Sequence, residues 1–103
     1  MQPQKHDYRV IYHAKAQVSL AAVTDELLKA GLSEAEIKPC VAAMEDHLRR
    51  NPVSFGEPLY TIRGTNIVVS VGFVRPFAIE FGIHEPSRVV LVRKLTLMDT
   101  NKT

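Results

Sequence analysis

The sequence has very little cysteine and no long apolar run. Cys40 is the only cysteine among 103 residues, so no disulfide can form within the chain, and this usage is typical of a reducing compartment. The longest apolar stretch, from Ile67 to Val74, is too short to span a bilayer. The opening segment MQPQKHDYRV lacks the apolar core of a secretion signal. These absences predict a cytoplasmic protein that does not enter a membrane.

Excess charge is also small. The chain has 13 Lys and Arg against 11 Asp and Glu, a formal net charge of +2. The two halves differ, because there are seven cations and eight anions up to Pro58 but six cations and three anions from Leu59 onward. A basic half attracts phosphate groups, although an ordinary solvated surface explains the same imbalance. The glycines do not have the spacing of a phosphate-binding loop.

What is present suits a folded globule. Hydrophobic residues make up 46% and charged residues 23%, and there is no low-complexity tract. The length predicts one domain over residues 1–103, with an ordered core at about residues 8–97 and a disordered tail at about residues 98–103. The core of such a chain is modest, so a protein partner or a homodimer is one source of further stability.

The first half predicts a strand and a helix. YRVIYHA, from Tyr8 to Ala14, is rich in β-branched and aromatic residues, as strands are. In the following segment SLAAVTDELLKAG, Leu20, Val23 and Leu27 fall on one helical face. The glycine that ends this segment suits the position just after a helix.

A second helix is predicted from about Ser33 to Arg50. Ser33 and Glu36 form a capping-box pattern at its start, and an Asn-Pro pair stops it. Pro39 either kinks this helix or marks the first turn of its main body. The buried stripe is predicted to consist of Ile37, Val41, Met44 and Leu48.

Beyond this helix the apolar period changes from 3.6 to 2, which predicts three strands joined by short turns. The first of these three strands places Ile67, Val69, Val71 and Phe73 on one face. The second places Phe77, Ile79, Phe81 and Ile83 on one face. The third places Val89, Leu91, Leu95 and Leu97 on one face, with Arg93 interrupting. The segment from Leu59 to Arg63 is a short extra strand or an extended loop.

The predicted architecture is therefore an α+β two-layer sandwich in the order β-α-α-β-β-β. Its sheet is antiparallel, two helices pack on one face, and the first strand joins an edge. No internal repeat or linker interrupts this order.

Within this order, four segments are distinctive: LRRNPVSFGEPL (Leu48 to Leu59), the Arg63-Gly64 pair, RPFAIEFGIHE (Arg75 to Glu85) and SRVVLV (Ser87 to Val92). Together with the element order, these segments resemble the RelE/ParE toxin superfamily, and the resemblance covers about Tyr8 to Leu97. In the superfamily, the same region has a helix ending in Asn-Pro, a Gly-x-Pro-Leu loop, an Arg-Gly pair and a strand of alternating aromatic and polar residues. An acidic turn and a final apolar strand follow.

The resemblance implies a cytoplasmic, toxin-like protein of a type II toxin–antitoxin system, of the kind associated with plasmid stabilization. Similar proteins either cut messenger RNA on the ribosome, without a metal, or inhibit gyrase. Both kinds are usually held inactive by an antitoxin. The implied partners are therefore an antitoxin-like protein and either the ribosome with its mRNA or gyrase.

The resemblance also implies where catalytic groups would stand, namely on the sheet face opposite the helices. Strand alternation predicts that this face carries Val68, Ser70, Gly72, Ala78, Glu80 and Gly82. The RNase members place lysines on the strand of Val68, Ser70 and Gly72, and their arginine falls at Ala78. The tail MDTNKT lacks their arginine-rich segment and tyrosine. The usual RNase residues are thus missing, and the resemblance does not predict an efficient metal-independent endoribonuclease.

The cations that remain are candidates for binding RNA or another target. Arg88, Val90, Val92, Lys94 and Thr96 are predicted to share the face opposite the helices, and Arg93 is predicted to point toward the helices. Arg75 lies at the rim of that face and Arg63 before the preceding strand. The candidates are Arg75, Arg88, Lys94 and Arg63. The alternative is that these charges only keep an exposed sheet soluble.

No metal or cofactor is predicted. Cys40 and His47 lie on one helical face, but zinc needs three or four ligands and the spacing offers no third. His84, beside Glu85, could act as an acid or base, or simply belong to a turn. The two hypotheses for function are thus a toxin-like protein and a non-catalytic interaction module that docks a peptide, a helix or a second copy on its sheet face.

Overall fold

The computed structural model describes residues 7–98. The elements follow in the order β1 (Arg9–Tyr12), α1 (Ala14–Lys29), α2 (Glu34–Arg50), α3 (Pro52–Phe55), β2 (Glu57–Thr61), β3 (Ile67–Val74), β4 (Phe77–His84) and β5 (Val89–Leu97). A 3₁₀ helix, Glu85–Ser87, joins the last two strands. The predicted α+β architecture is confirmed, with α3 and β2 as further elements. The predicted tail falls, except for Met98, outside the described residues.

The five strands form one sheet in the order β1-β5-β4-β3-β2. Neighbouring strands run antiparallel except β1 and β5, which are parallel. The first strand thus lies at an edge, as predicted, and β5 lies between the first and fourth strands of the chain.

Local sequence signals define the second helix. The Ser33 hydroxyl accepts a hydrogen bond from the backbone N–H of Glu36 at 3.2 Å, and the Glu36 carboxylate accepts one from the N–H of Ser33 at 2.8 Å. This capping box satisfies two helix-end donors. The helix continues through Pro39 without interruption, so the predicted capping box is present and the proline does not divide the helix.

The first helix is tied to the sheet by one side chain. The Ser19 hydroxyl of α1 donates to the carbonyl oxygen of Ala16 at 3.1 Å and accepts from the backbone N–H of Leu95 at 3.1 Å. The last paired residue of β1 is Tyr12, opposite Val92. β1 ends there, so its backbone offers no acceptor to the N–H of Leu95 in β5. The Ser19 hydroxyl takes that role.

The register assigns strand residues to two faces, because directly paired residues point to the same side of a sheet. The helix face carries the buried side chains of β4, which are Phe77, Ile79, Phe81 and Ile83. Their partners on β3 are Val74, Gly72, Ser70 and Val68, in the same order. Val68, Ser70 and Gly72 therefore lie on the helix face, and their predicted position on the opposite face is wrong.

An aromatic stack that includes Phe55 of α3 explains why the small residues of β3 face the helices. His47 of α2 stacks on Phe55 of α3 with ring centroids 4.6 Å apart, and Phe55 stacks on Phe81 at 5.9 Å. A Cβ at Gly72 would lie only 2.3 Å from Phe55. The small residues of β3 thus face the helices because α3 places a ring directly over them.

A β-bulge reverses part of β5 as well. Glu80 pairs with Lys94 but Phe81 pairs with Val92, so Arg93 is an extra residue. This insertion changes which residues share a face. The helix face of β5 consequently carries the buried residues Val90, Val92 and Leu95. Val89 and Leu91 lie on the other face, which corrects the predicted placement of all of these residues except Leu95.

The edge strand β1 contains a hydrogen-bonded tyrosine whose phenol is hard to ionise. The Tyr12 hydroxyl donates to Glu45 Oε2 of α2 at 2.8 Å. Burial raises the pKa of Tyr12 well above its usual range, and the hydrogen bond and negative charge of Glu45 raise it further. The protonated form is therefore strongly favoured in the folded chain.

This pKa predicts an alkaline loss of stability that depends on Tyr12. In the unfolded chain the phenol ionises near pH 10, so the stabilisation is complete below about that pH and declines as the pH rises further. We expect Tyr12→Phe to remove this decline, while Tyr60→Phe, at an exposed tyrosine, leaves it unchanged. Urea unfolding at about pH 8 and about pH 11 measures it. Equal alkaline losses in wild type and Tyr12→Phe would contradict the assignment.

Candidate functional site

The face of the sheet opposite the helices, called the open face here, carries an apolar row that crosses all five strands. The register aligns one residue from each strand in this row: Ile11, Leu91, Gly82, Val69 and Tyr60. Gly82 at its centre and Val69 beside it are buried, whereas Ile11 and Tyr60 at its two ends are 39% and 51% exposed. The row thus has a closed centre and exposed ends.

More apolar side chains flank this row. Phe73, paired with Ala78 near the β3–β4 turn, is 55% exposed. Ile67, Val71 and Val89 are half-buried on the same face. A sheet face of this composition is unusual for a surface that stays in water, and such patches commonly mark interaction sites.

Charge is concentrated in one row beside the apolar one. Lys94, Glu80, Val71 and Glu57 follow one another across four strands. Glu80 is ion-paired with Arg93, whose Nε lies 3.5 Å from Glu80 Oε2. Arg93 therefore pairs with an acid of the sheet, not with an acid of a helix. The structure places Ala78, Glu80 and Gly82 on the open face.

The sequence did not predict most of this surface. It assigned Ile67, Val69, Val71 and Phe73 to the buried side, because their alternation is indistinguishable from that of a core face. The available signal was Phe55, since an aromatic residue just after the Asn-Pro helix stop needs small residues opposite it. Ser70 and Gly72 are those residues.

The four candidate cations do not form one cluster. Arg75 precedes β4, and Arg88 follows the 3₁₀ helix beyond its other end. An eight-residue strand is about 23 Å long, so these two arginines cannot hold the same phosphate. Lys94 lies near the middle of the sheet, opposite Glu80. Arg63 lies in the β2–β3 loop, at the same end as Arg88.

Arg88 lies at one end of an open groove. Its backbone is left-handed, with φ of 54°, and its guanidinium lies 5.4 Å from the centre of the Tyr8 ring. The groove has a volume of about 610 Å³ and is also lined by Thr61, Thr65 and Glu85. It lies on the helix side of the sheet end, so Arg88 belongs to a different surface from Lys94.

The histidines and Cys40 show no metal-binding arrangement within residues 7–98. The thiol of Cys40 donates to the carbonyl oxygen of Glu36 at 3.5 Å, and His47 stacks on Phe55. His84 Nδ1 lies 2.5 Å from the Ser87 hydroxyl within the turn after β4. Among the described helices, none has the length and apolar character required to cross a bilayer.

Comparison with known proteins bears on the fold. No protein-family model and no curated protein matches the sequence. Among solved structures, the chain is similar to a chain in the crystal structure of an archaeal RelE–RelB complex from Pyrococcus horikoshii OT3. The alignment covers 90% of this chain and 97% of that chain, with a TM-score of 0.64 and 18% sequence identity. The chain therefore has a RelE-like fold.

Proposed function

We propose that the chain is a toxin-like protein of a type II toxin–antitoxin system and that an antitoxin-like protein binds its open face. The observation that carries the proposal is the apolar row across all five strands, with Ile11, Tyr60 and Phe73 exposed on that face. Burial of such side chains releases about 25 cal/mol for each Å² removed from water. The solved RelE-like neighbour is itself part of a complex with RelB, which supports a partner of this kind.

The same geometry argues against RNA cleavage at the superfamily's usual positions. Val68, Ser70 and Gly72, on the strand that carries the RNase lysines, are neutral and lie on the helix face. Loss of one well-placed donor typically slows such a reaction by about 10²–10³. We therefore propose that the chain acts by binding its target, without a metal or cofactor. A displaced ribosome-dependent RNase site or gyrase inhibition remains the alternative, with Arg75 and Lys94 as its candidate residues.

A non-catalytic interaction module on the same fold is the second candidate. It is favoured by the small and apolar character of the open face, where Gly82 and Ala78 would let another backbone approach closely. In this interpretation the open face binds a peptide, a helix or a second copy of the chain. Expression of the chain in the cytoplasm then does not impair growth. The two candidates differ in one observable, which is whether expression stops growth.

Growth of bacteria expressing the chain from a tightly controlled promoter tests the proposal. We expect the wild type to arrest growth, and we expect Arg75→Ala or Lys94→Ala to relieve the arrest if those cations contact the target. Lys38→Ala, at an exposed position of α2, serves as the control and should remain toxic. Unimpaired growth at good soluble expression would contradict the toxin proposal and favour the interaction module.

Neutralisation tests the partner surface in the same cells. The products of short reading frames adjacent to this chain's gene are the candidates to test, and a cognate antitoxin among them should restore growth when both proteins are expressed. We expect Phe73→Asp, on the open face, to stay toxic in the presence of that protein, because it places a charge in the buried interface. The control is Val18→Asp on α1, where the native side chain is 69% exposed. Equal neutralisation of both variants would show that the partner binds elsewhere.

A further inference from the structure

A partly open cavity lies on the helix face of the sheet, between α3 and strands β2, β3 and β4. Its volume is about 220 Å³. Four aliphatic side chains, Val53, Pro58, Val68 and Ile83, form most of its wall. These residues come from α3, β2, β3 and β4 respectively, so the cavity is a product of the tertiary fold. It opens beside Asn66 and Glu85 toward the larger groove that contains Arg88.

Ser70 lines this cavity and is its polar feature. It is only 2% exposed and is the buried polar residue of the described core. Its hydroxyl makes no hydrogen bond with any other residue in the range 7–98. No fully enclosed side-chain oxygen or nitrogen in that range lacks a partner, so the Ser70 oxygen retains a small accessible surface, which faces the cavity.

A few polar groups in a mostly apolar wall commonly orient a small molecule that binds in such a pocket. Water would find few hydrogen-bonding partners in this one. A buried water usually makes about three hydrogen bonds, whereas the wall here is aliphatic apart from Ser70 and the two polar residues at the mouth. A ligand with an apolar body and one hydrogen-bonding group matches both the wall and the hydroxyl.

We propose that this cavity binds a small, uncharged aromatic molecule that carries a hydroxyl or amine group directed at Ser70. The volume is about seven times the volume of one water in the liquid, which accommodates a single ring system. The carboxylate of Glu85 at the mouth disfavours an anion. The hydroxyl of Ser70 can donate or accept, so it recognises either a phenol or an aromatic amine. This site is separate from the open face and does not depend on the proposed function.

Phenol and benzene serve as matched probes, because they have the same ring and differ in one hydroxyl. Each is titrated into the isotopically labelled full chain while backbone amide resonances are followed by NMR. We expect phenol to shift the amides of Val68, Ser70 and Ile83 and to bind more tightly than benzene. The Ser70→Ala substitution should weaken phenol binding about 5–10-fold, the value of one hydrogen bond, while benzene binding stays unchanged.

Two further measurements separate recognition from misfolding. Ser70→Ala removes an unpaired group, so its folded spectrum should be retained outside the cavity. Ser70→Cys keeps nearly the same volume with a weaker hydrogen-bonding group and should show intermediate phenol affinity. The proposal is overturned if neither probe shifts cavity resonances, if the shifts lie on another surface, or if Ser70→Ala weakens phenol and benzene equally.

Discussion

The Phe81→Ala substitution is expected to lower the free energy of unfolding by about 3–5 kcal/mol. Phe81 is fully buried at the centre of the helix face, between Ile79 and Ile83 on β4. Its ring is the lowest member of the stack formed with Phe55 and His47. Removing it leaves a cavity and also deprives Phe55 of its support. A domain of this size has only about 5–15 kcal/mol of total stability, so the loss should be obvious.

The matched control is Phe73→Ala on the neighbouring strand. Phe73 is 55% exposed on the open face, so its truncation should cost about 1 kcal/mol or less. Urea unfolding followed by circular dichroism gives both values from the shift in midpoint. Comparable losses for the two variants would show that the faces of β3 and β4 are assigned incorrectly. A large loss for Phe81→Ala alone confirms the register.

Gly72→Ala is expected to destabilise the fold by about 1–3 kcal/mol, although alanine is normally the better strand residue. The added methyl would lie 2.3 Å from one ring atom of Phe55 and 2.7 Å from another. Phe55 cannot move away easily, because its ring is stacked between His47 and Phe81. The strain therefore spreads to α3 and to the end of α2.

Gly82→Ala provides the comparison, since it makes the same change on the adjacent strand and the opposite face. Its methyl would meet only Cγ2 of the half-buried Ile67, at 2.9 Å. Relieving this contact requires a shift of one side chain at the start of β3, not of a ring held in a stack, so we expect a smaller loss than for Gly72→Ala, of about 1 kcal/mol. Thermal unfolding of both variants measures the difference. If Gly82→Ala were the more damaging substitution, α3 would not lie over Gly72.

Much of this fold could be predicted from local sequence signals. The capping box at Ser33 and the change from helical to strand periodicity after Arg50 predict the layers and the relative order of β1, α1, α2, β3, β4 and β5, but not α3. The faces of β3 and β5 could not be predicted in the same way. Both alternations in β3 are partly apolar, and the bulge at Arg93 shifts the pattern within β5. The face on which the β3 residues lie depends on the packing of Phe55 against Gly72, and the position of the β5 bulge is associated with the ion pair between Arg93 and Glu80.

The candidate site was harder to predict than the fold for the same reason. The expected open face was small and neutral, built on Val68, Ser70 and Gly72, whereas the observed one is apolar and built on Val69, Val71 and Phe73. Arg75, Arg88, Lys94 and Arg63 were chosen by charge and sequence position. Whether two of these cations can contact the same phosphate depends on the distance between them. That distance follows from strand lengths and turn positions, which are known only from the strand register.

The position of β5 has a consequence for how the chain acquires its structure during synthesis. Arg9 of β1 pairs with Val89 of β5, which is synthesised 80 residues later, so β1 cannot pair before then. The hydrogen bond between the Ser19 hydroxyl and Leu95 likewise cannot form until β5 has been made. Until β5 has emerged from the ribosome, β1 and the inner side of α1 lack the surface that they cover. Contacts this distant in sequence form slowly, and folding is therefore expected to be completed only after β5 has left the ribosome.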